Sequence, residues 1–267
     1  MHSSAIVVPC YNEARRLPLE EFRDSCDSQP TVDFFFVDDG STDGTSDVIN
    51  SIRQGREDRI FLLKLTSNEG KAEAVRRGIL HSLTQHEYDV VGYWDADTST
   101  PLTELPRLLL ILSGDDRYTM VTGCRVRRLG VQINRHWYRH YLGRAFATVV
   151  SIMLQLPSYD TQCGAKLFRA RYASLIFETS FVSRWFFDVE LFYRMERLLG
   201  RDAATERILE APLESWIEKK GSKLKLGDYL RVPIDLGRIW AAYSHGRPGA
   251  IERGDVIARV EAQQQNH

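Results

Sequence analysis

Four apolar runs, each halted by a polar loop rich in aspartate or glycine, constrain this chain more than any other feature. They are Ser4 to Val8, Asp33 to Val37, Ile60 to Leu65 and Val90 to Trp94. Each is too short for a typical helix and continuous rather than alternating, which is the pattern of a strand covered on both faces. Helix-length segments lie between them: one from about Pro18 to Cys26, and one capped by Ser41 or Thr42 that runs through Ile52. A third carries Ala72, Val75, Ile79 and Leu83 along one face. Strand–helix alternation of this kind predicts an α/β fold with a mostly parallel central sheet, built from right-handed crossovers and flanked by helices. Such a sheet gathers its carboxyl ends along one edge, and ligands bind there.

The loops at that edge carry the chemistry. Asp95-Ala96-Asp97 follows the fourth strand, and alternation sets Asp95 and Asp97 on the same side. Two anions held so close repel unless a cation or a donor-rich ligand lies between them, and Mg²⁺ or Mn²⁺ takes hard oxygen ligands of this kind. The other reading is a pair of loop caps before a helix starting near Thr103. Asp38 and Asp39 end the second strand, before Gly40 and Gly44, and can accept hydrogen bonds from a ribose or a base N–H. Neither G-x-x-x-x-G-K-[ST] nor a G-x-G-x-x-G after the first strand is present, which points away from kinases and dehydrogenases. The net charge of −1 argues against nucleic acid as a partner. Cys10, Cys26, Cys124 and Cys163 are scattered and suggest neither zinc nor disulfides, and no apolar leader precedes Ala5. A cytoplasmic protein is expected, with one main domain of residues 1–225 (halves 1–124 and 125–225) and an amphipathic helix with a polar tail over 226–267.

Taken together, Val8-Pro9-Cys10-Tyr11-Asn12-Glu13, Val37-Asp38-Asp39-Gly40-Ser41-Thr42-Asp43-Gly44-Thr45, Asn68-Glu69-Gly70-Lys71-Ala72 and Asp95-Ala96-Asp97 resemble the nucleotide-binding half of a family 2 glycosyltransferase with the GT-A fold. The resemblance implies that Pro9, Tyr11, Glu13 and Asp39 hold the nucleoside of a nucleotide-sugar. It implies that Lys71 lies near the base or phosphates, that Asp95 and Ala96 lie near the ribose, and that Asp95 and Asp97 hold the metal. Read singly, Glu13 and Lys71 are also compatible with solvated charges at helix starts.

Past a fifth strand, Tyr118 to Gly123, the chain turns basic: Arg125, Arg127, Arg128, Arg135, His136, Arg139, His140 and Arg144 occur without one acidic residue among them, and an apolar helix, Ala145 to Leu154, follows. Either this is a buried helix with a basic face or it is an interfacial element, giving a peripheral membrane contact through 125–156. In both cases a phosphate is the expected neighbour. Tyr159 to Phe168, Arg184 to Leu191 and Trp216 to Leu224 resemble the acceptor half of the dolichyl- or polyprenyl-phosphate β-glucosyltransferases, the similarity running from about Ile6 to Asp235. By that resemblance Gln162 and Gly164 line the sugar pocket and UDP-glucose is the favoured donor. Arg125, Arg139, Glu190 and Trp216 then bind a phosphate-bearing, lipid-linked acceptor, while Asp97, Asp188 and Arg125 are catalytic. Asp188 would be the base if the acceptor were a hydroxyl. Ion pairs of Asp188 and Glu190 with Arg184 or Arg194 are the structural alternative. Relatives of this branch usually carry an N-terminal anchor, whereas this chain begins at the first strand, which leads one to expect a soluble or peripheral protein. A sugar nucleotidyltransferase would favour a glycine-rich basic loop where Pro9 to Asn12 stand. A non-catalytic module would not need Asp38, Asp39, Asp95 and Asp97.

Overall fold

The computed structural model describes residues 3–126, 129, 132–134, 137–219 and 232–244. The four apolar runs are strands β1 (Ser4–Cys10), β2 (Val32–Asp38), β3 (Ile60–Lys64) and β4 (Val90–Trp94). Helices α1 (Leu19–Ser28), α2 (Thr45–Arg53) and α3 (Lys71–Gln85) alternate with them. A single 3-10 turn, Leu102–Glu104, leads into α4 (Leu105–Gly114), so the helix expected near Thr103 starts as a tight turn after Pro101. The strand expected to start at Tyr118 is β5 (Met120–Cys124). Then come β6 (Gln132–Asn134), α5 (Trp137–Leu154), β7 (Ala165–Arg169), α6 (Ala170–Ile176), α7 (Phe187–Leu199), α8 (Arg201–Arg207), β8 (Ile208–Pro212), β9 (Ser215–Ile217) and α9 (Val232–Ser244).

Seven strands form one sheet in the order β3-β2-β1-β4-β7-β5-β8, and β6 and β9 form a separate parallel pair. The first four pair in parallel, while β7 lies antiparallel between β4 and β5. A strand from the second half of the chain therefore sits inside the sheet of the first half. Alternate residues of each strand enter opposite layers, as a period of two requires. Ile6, Val8, Phe34 and Phe36 pack with Phe22, Ile49, Leu105 and Leu108 on one face. Val7, Phe35 and Val37 pack with Val75, Ile79, Phe187 and Leu191 on the other. All four cysteines are buried, and none is in a disulfide.

Neither Ser41 nor Thr42 caps α2, whose first residue is Thr45. They instead tie two strand-end loops together: Ser41 Oγ accepts the Asn12 N–H at 2.9 Å, and Thr42 N–H donates to Asn12 Oδ1 at 2.9 Å. The expected C-terminal helix is present as α9, while residues 220–231 and the tail over 245–267 lie outside the described residues.

Candidate active site

The carboxyl ends of β1, β2 and β4 bring most of the expected donor residues to one edge. Pro9 is the penultimate residue of β1, with Tyr11 just beyond its end. Asp39 follows β2 and is 3% exposed; its Oδ1 accepts Glu69 N–H at 2.8 Å, and its Oδ2 accepts Gly70 N–H at 2.9 Å and Asn68 Nδ2 at 3.0 Å. Burial pushes the Asp39 carboxyl above its ordinary value, and these amide bonds oppose that rise. Gly70, at φ +98°, makes the loop tight enough for the Arg184 side chain to lie across it: a Cβ there would come within 2.7 Å of Arg184 Nε. Arg184 in turn donates to Asn68 Oδ1 at 2.7 Å.

Glu13 does not extend freely into the edge. It is 6% exposed and takes a bidentate grip from Arg16, at 2.8 and 2.7 Å. The hydrogen bond to Glu13 raises the Arg16 pKa, and Asp97 adds to the rise through its charge. Arg16 thus joins the site without having been singled out; its place one helical turn after Glu13 was the available signal.

Asp95 and Asp97 emerge just beyond β4. Asp95 N–H donates to Gly164 O at 2.9 Å, and Asp95 Oδ1 pairs with Lys71 Nζ at 2.6 Å. Burial raises the Asp95 pKa and the adjacent charge of Asp97 raises it further, with Lys71 acting in the opposite sense. Although burial alone would lower it, the charges of Asp95 and Asp188 leave the Lys71 pKa raised, so its ammonium stays protonated. Asp97 Oδ1 accepts Ser99 N–H at 2.9 Å, as a loop cap would, and Oδ2 takes no hydrogen bond among the described residues. Ala96 is buried between the two acids. Gly164, which begins the approach to β7, packs directly on Asp95: a Cβ there would lie 1.8 Å from Asp95 Oδ2.

The loop leading to Gly164 is fastened from three directions. Glu210 on β8 accepts Ser158 Oγ at 2.7 Å and the backbone N–H groups of Tyr159 and Asp160 at 2.7 and 2.8 Å. Asp160 forms a bidentate pair with Arg125, at 2.7 Å on each oxygen. Lys166 Nζ, fully buried, donates to Thr161 O at 2.9 Å, Cys163 O at 2.6 Å and Asp188 Oδ1 at 2.5 Å. Within this frame the Gln162 side-chain nitrogen is buried without a partner among the described residues.

Several acceptor-side expectations change in this geometry. Arg125 is held by Asp160 and lies over the Trp216 ring, 5.5 Å from its centroid, with 14% of its side chain exposed. Asp188 is 3% exposed and carries both Lys166 and a hydrogen bond from Tyr93, so its ion pair is with Lys166 rather than with Arg184 or Arg194. Glu190 is fully buried and accepts Val182 N–H at 2.9 Å and Ser183 N–H at 2.7 Å; it fastens that loop instead of facing an acceptor. Arg139 lies in α5, with its side chain outside the described residues, as are residues 127–128 and 135–136 of the basic segment. Among the described residues no helix is long and apolar enough to cross a membrane.

Burial raises the Asp160 pKa, but the Arg125 charge and hydrogen bonds outweigh it and hold this carboxyl below the usual range. A depressed native pKa means that the unfolded chain takes up the proton first, so this stabilisation is complete above pH of about 4 and fades as pH falls through the native value. In thermal melts from neutral to acidic pH, Asp160→Asn is expected to lower Tm at neutrality and to flatten its acid dependence. An unchanged slope would remove Asp160 from the account.

The donor set fits a divalent cation in its chemistry: two adjacent carboxylates supply hard oxygens, one of them open at Asp97. No group of three His, Cys, Asp or Glu side chains gathers among the described residues, so a bound ion would complete its shell from ligand oxygens or water. The strand-end acids, the protonated lysine and the glycine-backed carboxylate lie together at the carboxyl edge of the sheet, where ligands bind in α/β enzymes. A family model for glycosyl transferase family 2 matches residues 5–177, and the chain belongs to that family. It is 32% identical over 265 residues to a dolichyl-phosphate beta-glucosyltransferase of Trichomonas vaginalis, covering 95% of this chain and 75% of the relative. The human dolichyl-phosphate beta-glucosyltransferase is 31% identical over 238 residues, covering 82% and 69%. Glucosyl-3-phosphoglycerate synthase of Mycobacterium tuberculosis, solved with Mn²⁺ and UDP-glucose, shares the fold with a TM-score of 0.61 at 17% identity, covering 97% of this chain and 79% of that one. The expected GT-A architecture is the one observed.

Proposed function

We propose that this chain transfers glucose from UDP-glucose to a polyprenyl phosphate, with inversion at the anomeric carbon. The observation that carries this reading is the Asp95–Lys71 pair, backed by Gly164 with Asp97 beside it, in a chain 32% identical over 265 residues to a dolichyl-phosphate beta-glucosyltransferase. Pro9, Tyr11 and Asp39 receive the nucleoside. Three donors already occupy the Asp39 carboxylate, leaving one acceptor position of its roughly four for a base N–H. Glu13 acts by orienting Arg16. The Lys71 ammonium faces the diphosphate, and Asp95 with the Ala96 backbone borders the ribose. Gln162 and Gly164 border the sugar, with the unpartnered Gln162 amide as donor to a hydroxyl. Mg²⁺ or Mn²⁺ held by Asp97 and Asp95 would neutralise charge developing on the departing diphosphate.

An acceptor phosphate oxygen forms the new bond to the anomeric carbon, and the bond from that carbon to the UDP oxygen breaks with its electron pair leaving on UDP. The phosphate is anionic at neutral pH, so no group need take a proton. The engagement of Asp188 by Lys166 and Tyr93 supports this version over a hydroxyl acceptor, which would need Asp188 as a base. In this reading Arg125, Arg139 and Trp216 serve the acceptor, and Glu190 contributes through the 182–183 loop it holds.

The test is incubation of the chain with radiolabelled UDP-glucose and a polyprenyl phosphate in detergent. Label that enters the organic phase, requires Mg²⁺ or Mn²⁺ and is released by mild acid is the expected result. Label passing only to water or to a soluble phosphate such as phosphoglyceric acid would overturn the acceptor assignment. In the same assay Gly164→Ala must push the Asp95 carboxylate off Lys71, because the Asp95 N–H bond to Gly164 O prevents the two backbones from separating. A displacement of about 1 Å is expected to lower kcat/KM by roughly 100-fold. Activity within about threefold of the parent would mean that Asp95 is not placed as described.

A further inference from the structure

Arg184 stands on the segment between α6 and α7 and reaches back to the loop between β3 and α3. Its backbone is fixed on both sides. Arg194 donates to Thr179 O and Ser180 O, each at 2.8 Å, Glu190 accepts the N–H groups of Val182 and Ser183, and Ser183 Oγ accepts Phe186 N–H at 3.0 Å. Ala72 N–H, at the start of α3, donates to Arg184 O at 3.2 Å. The side chain is exposed, yet it does not take the acids beside it. Glu69 and Glu73, which line a cavity of about 190 Å³ together with Arg184, pair instead with Arg77 and Arg76. Among the described residues its hydrogen bonds go to Asn68, at 2.7 Å to Oδ1 and 3.1 Å to the backbone O.

That choice of partner fixes the Asn68 amide. A guanidinium only donates, so it must meet Oδ1, and the NH₂ group is then turned to the Asp39 carboxylate, which only accepts. Asn68 Nδ2 and Gly70 N–H together fill Asp39 Oδ2, while Glu69 N–H takes one side of Oδ1. The position left for a base N–H is therefore on Oδ1. Without Arg184 the amide is free to turn away, Oδ2 regains an open position, and the carboxylate no longer offers one direction.

We infer that Arg184 is a positioning residue for donor recognition: it holds the Asn68 amide in the orientation that leaves the Asp39 carboxylate a single direction in which to accept a base N–H. The inference rests on the reading of Asp39 as the nucleoside ligand. Binding of uridine, and of UDP with Mg²⁺, is followed by ligand-observed NMR in the parent, Arg184→Met, Asn68→Ala and the double variant. Arg184 is exposed and its backbone bond to Ala72 survives substitution, so Arg184→Met should melt near the parent. It is expected to weaken uridine and UDP by the same factor, at least about fivefold, and to raise the KM for UDP-glucose alike while kcat stays within about twofold. In the Asn68→Ala background the same substitution should cost less than about twofold, because the amide through which it acts is gone. Unchanged affinity in Arg184→Met, or equal losses in the two backgrounds, would overturn the inference. Weaker UDP with unchanged uridine would place Arg184 on the diphosphate and overturn it as well, as would a parent chain that binds UDP but not uridine. A parent chain that binds neither would overturn the reading of Asp39 itself, and the inference with it.

Discussion

Asp97→Ala is expected to abolish glucosyl transfer while leaving the protein folded. Among the described residues the side chain makes one hydrogen bond, from Ser99 N–H, so its loss costs stability only about 0.5–1.5 kcal/mol. Its proposed work lies in the reaction, where charge develops on a departing diphosphate and every group that preorganises positive potential there counts. Removal of one such element typically costs at least about 100-fold in rate, or about 2.7 kcal/mol of barrier. The readout is kcat/KM for UDP-glucose beside Tm measured on the same preparation. A variant that melts near the parent and retains turnover within about threefold would exclude Asp97 from the machinery. Asp95→Ala tests a different function, since it also strands the Lys71 ammonium, and should therefore change stability as well as rate.

The second large effect lies in stability. Lys166 is fully buried, and its ammonium joins Asp188 to two loop carbonyls. Lys166→Met keeps most of the volume but leaves the buried Asp188 carboxylate with Tyr93 as its remaining hydrogen-bond partner among the described residues, and breaking a buried pair from one side costs about 3–5 kcal/mol. For a chain of this length that corresponds to a fall in Tm of roughly 6–20 °C. The double variant Lys166→Met/Asp188→Asn removes the uncompensated charge and should recover a large part of the loss. A single variant that melts within about 2 °C of the parent would show that the pair contributes little. The loop from Thr161 to Gly164 also loses its tether, so the KM for the donor should rise in the double variant even where Tm recovers.

The parts of this architecture that could be read locally were those governed by periodicity. Continuous apolar runs at Ala5, Phe34 and Val90 became strands covered on both faces, and their polar ends gathered at one edge because parallel strands share a direction. The insertion of β7 between β4 and β5 had no such signal. Pairing order is decided by which strand completes the two apolar layers, and Ala165 to Arg169 resembles any other short strand. Ser41 and Thr42 do not cap α2 for a related reason: the Ser41 hydroxyl and the Thr42 N–H find their partner in Asn12, distant in sequence. Lys166 and Asp188 form a buried ion pair that has no local signal, because Arg169 also stands in the strand and Glu190, Arg194, Glu196 and Arg197 also stand in the helix. Glu190 shows the converse. An acid beside Asp188 near the site invited an acceptor role, but its surroundings are the amides of Val182 and Ser183.

The central claim is that Asp97, with Asp95 and Lys71, receives the metal and diphosphate of the donor. Crystals soaked with UDP and manganese, examined by anomalous diffraction, address it directly. The account predicts a manganese peak in contact with the Asp97 carboxylate and the UDP diphosphate lying between that peak and Lys71. Manganese and UDP bound elsewhere, with no peak at Asp97, would contradict it.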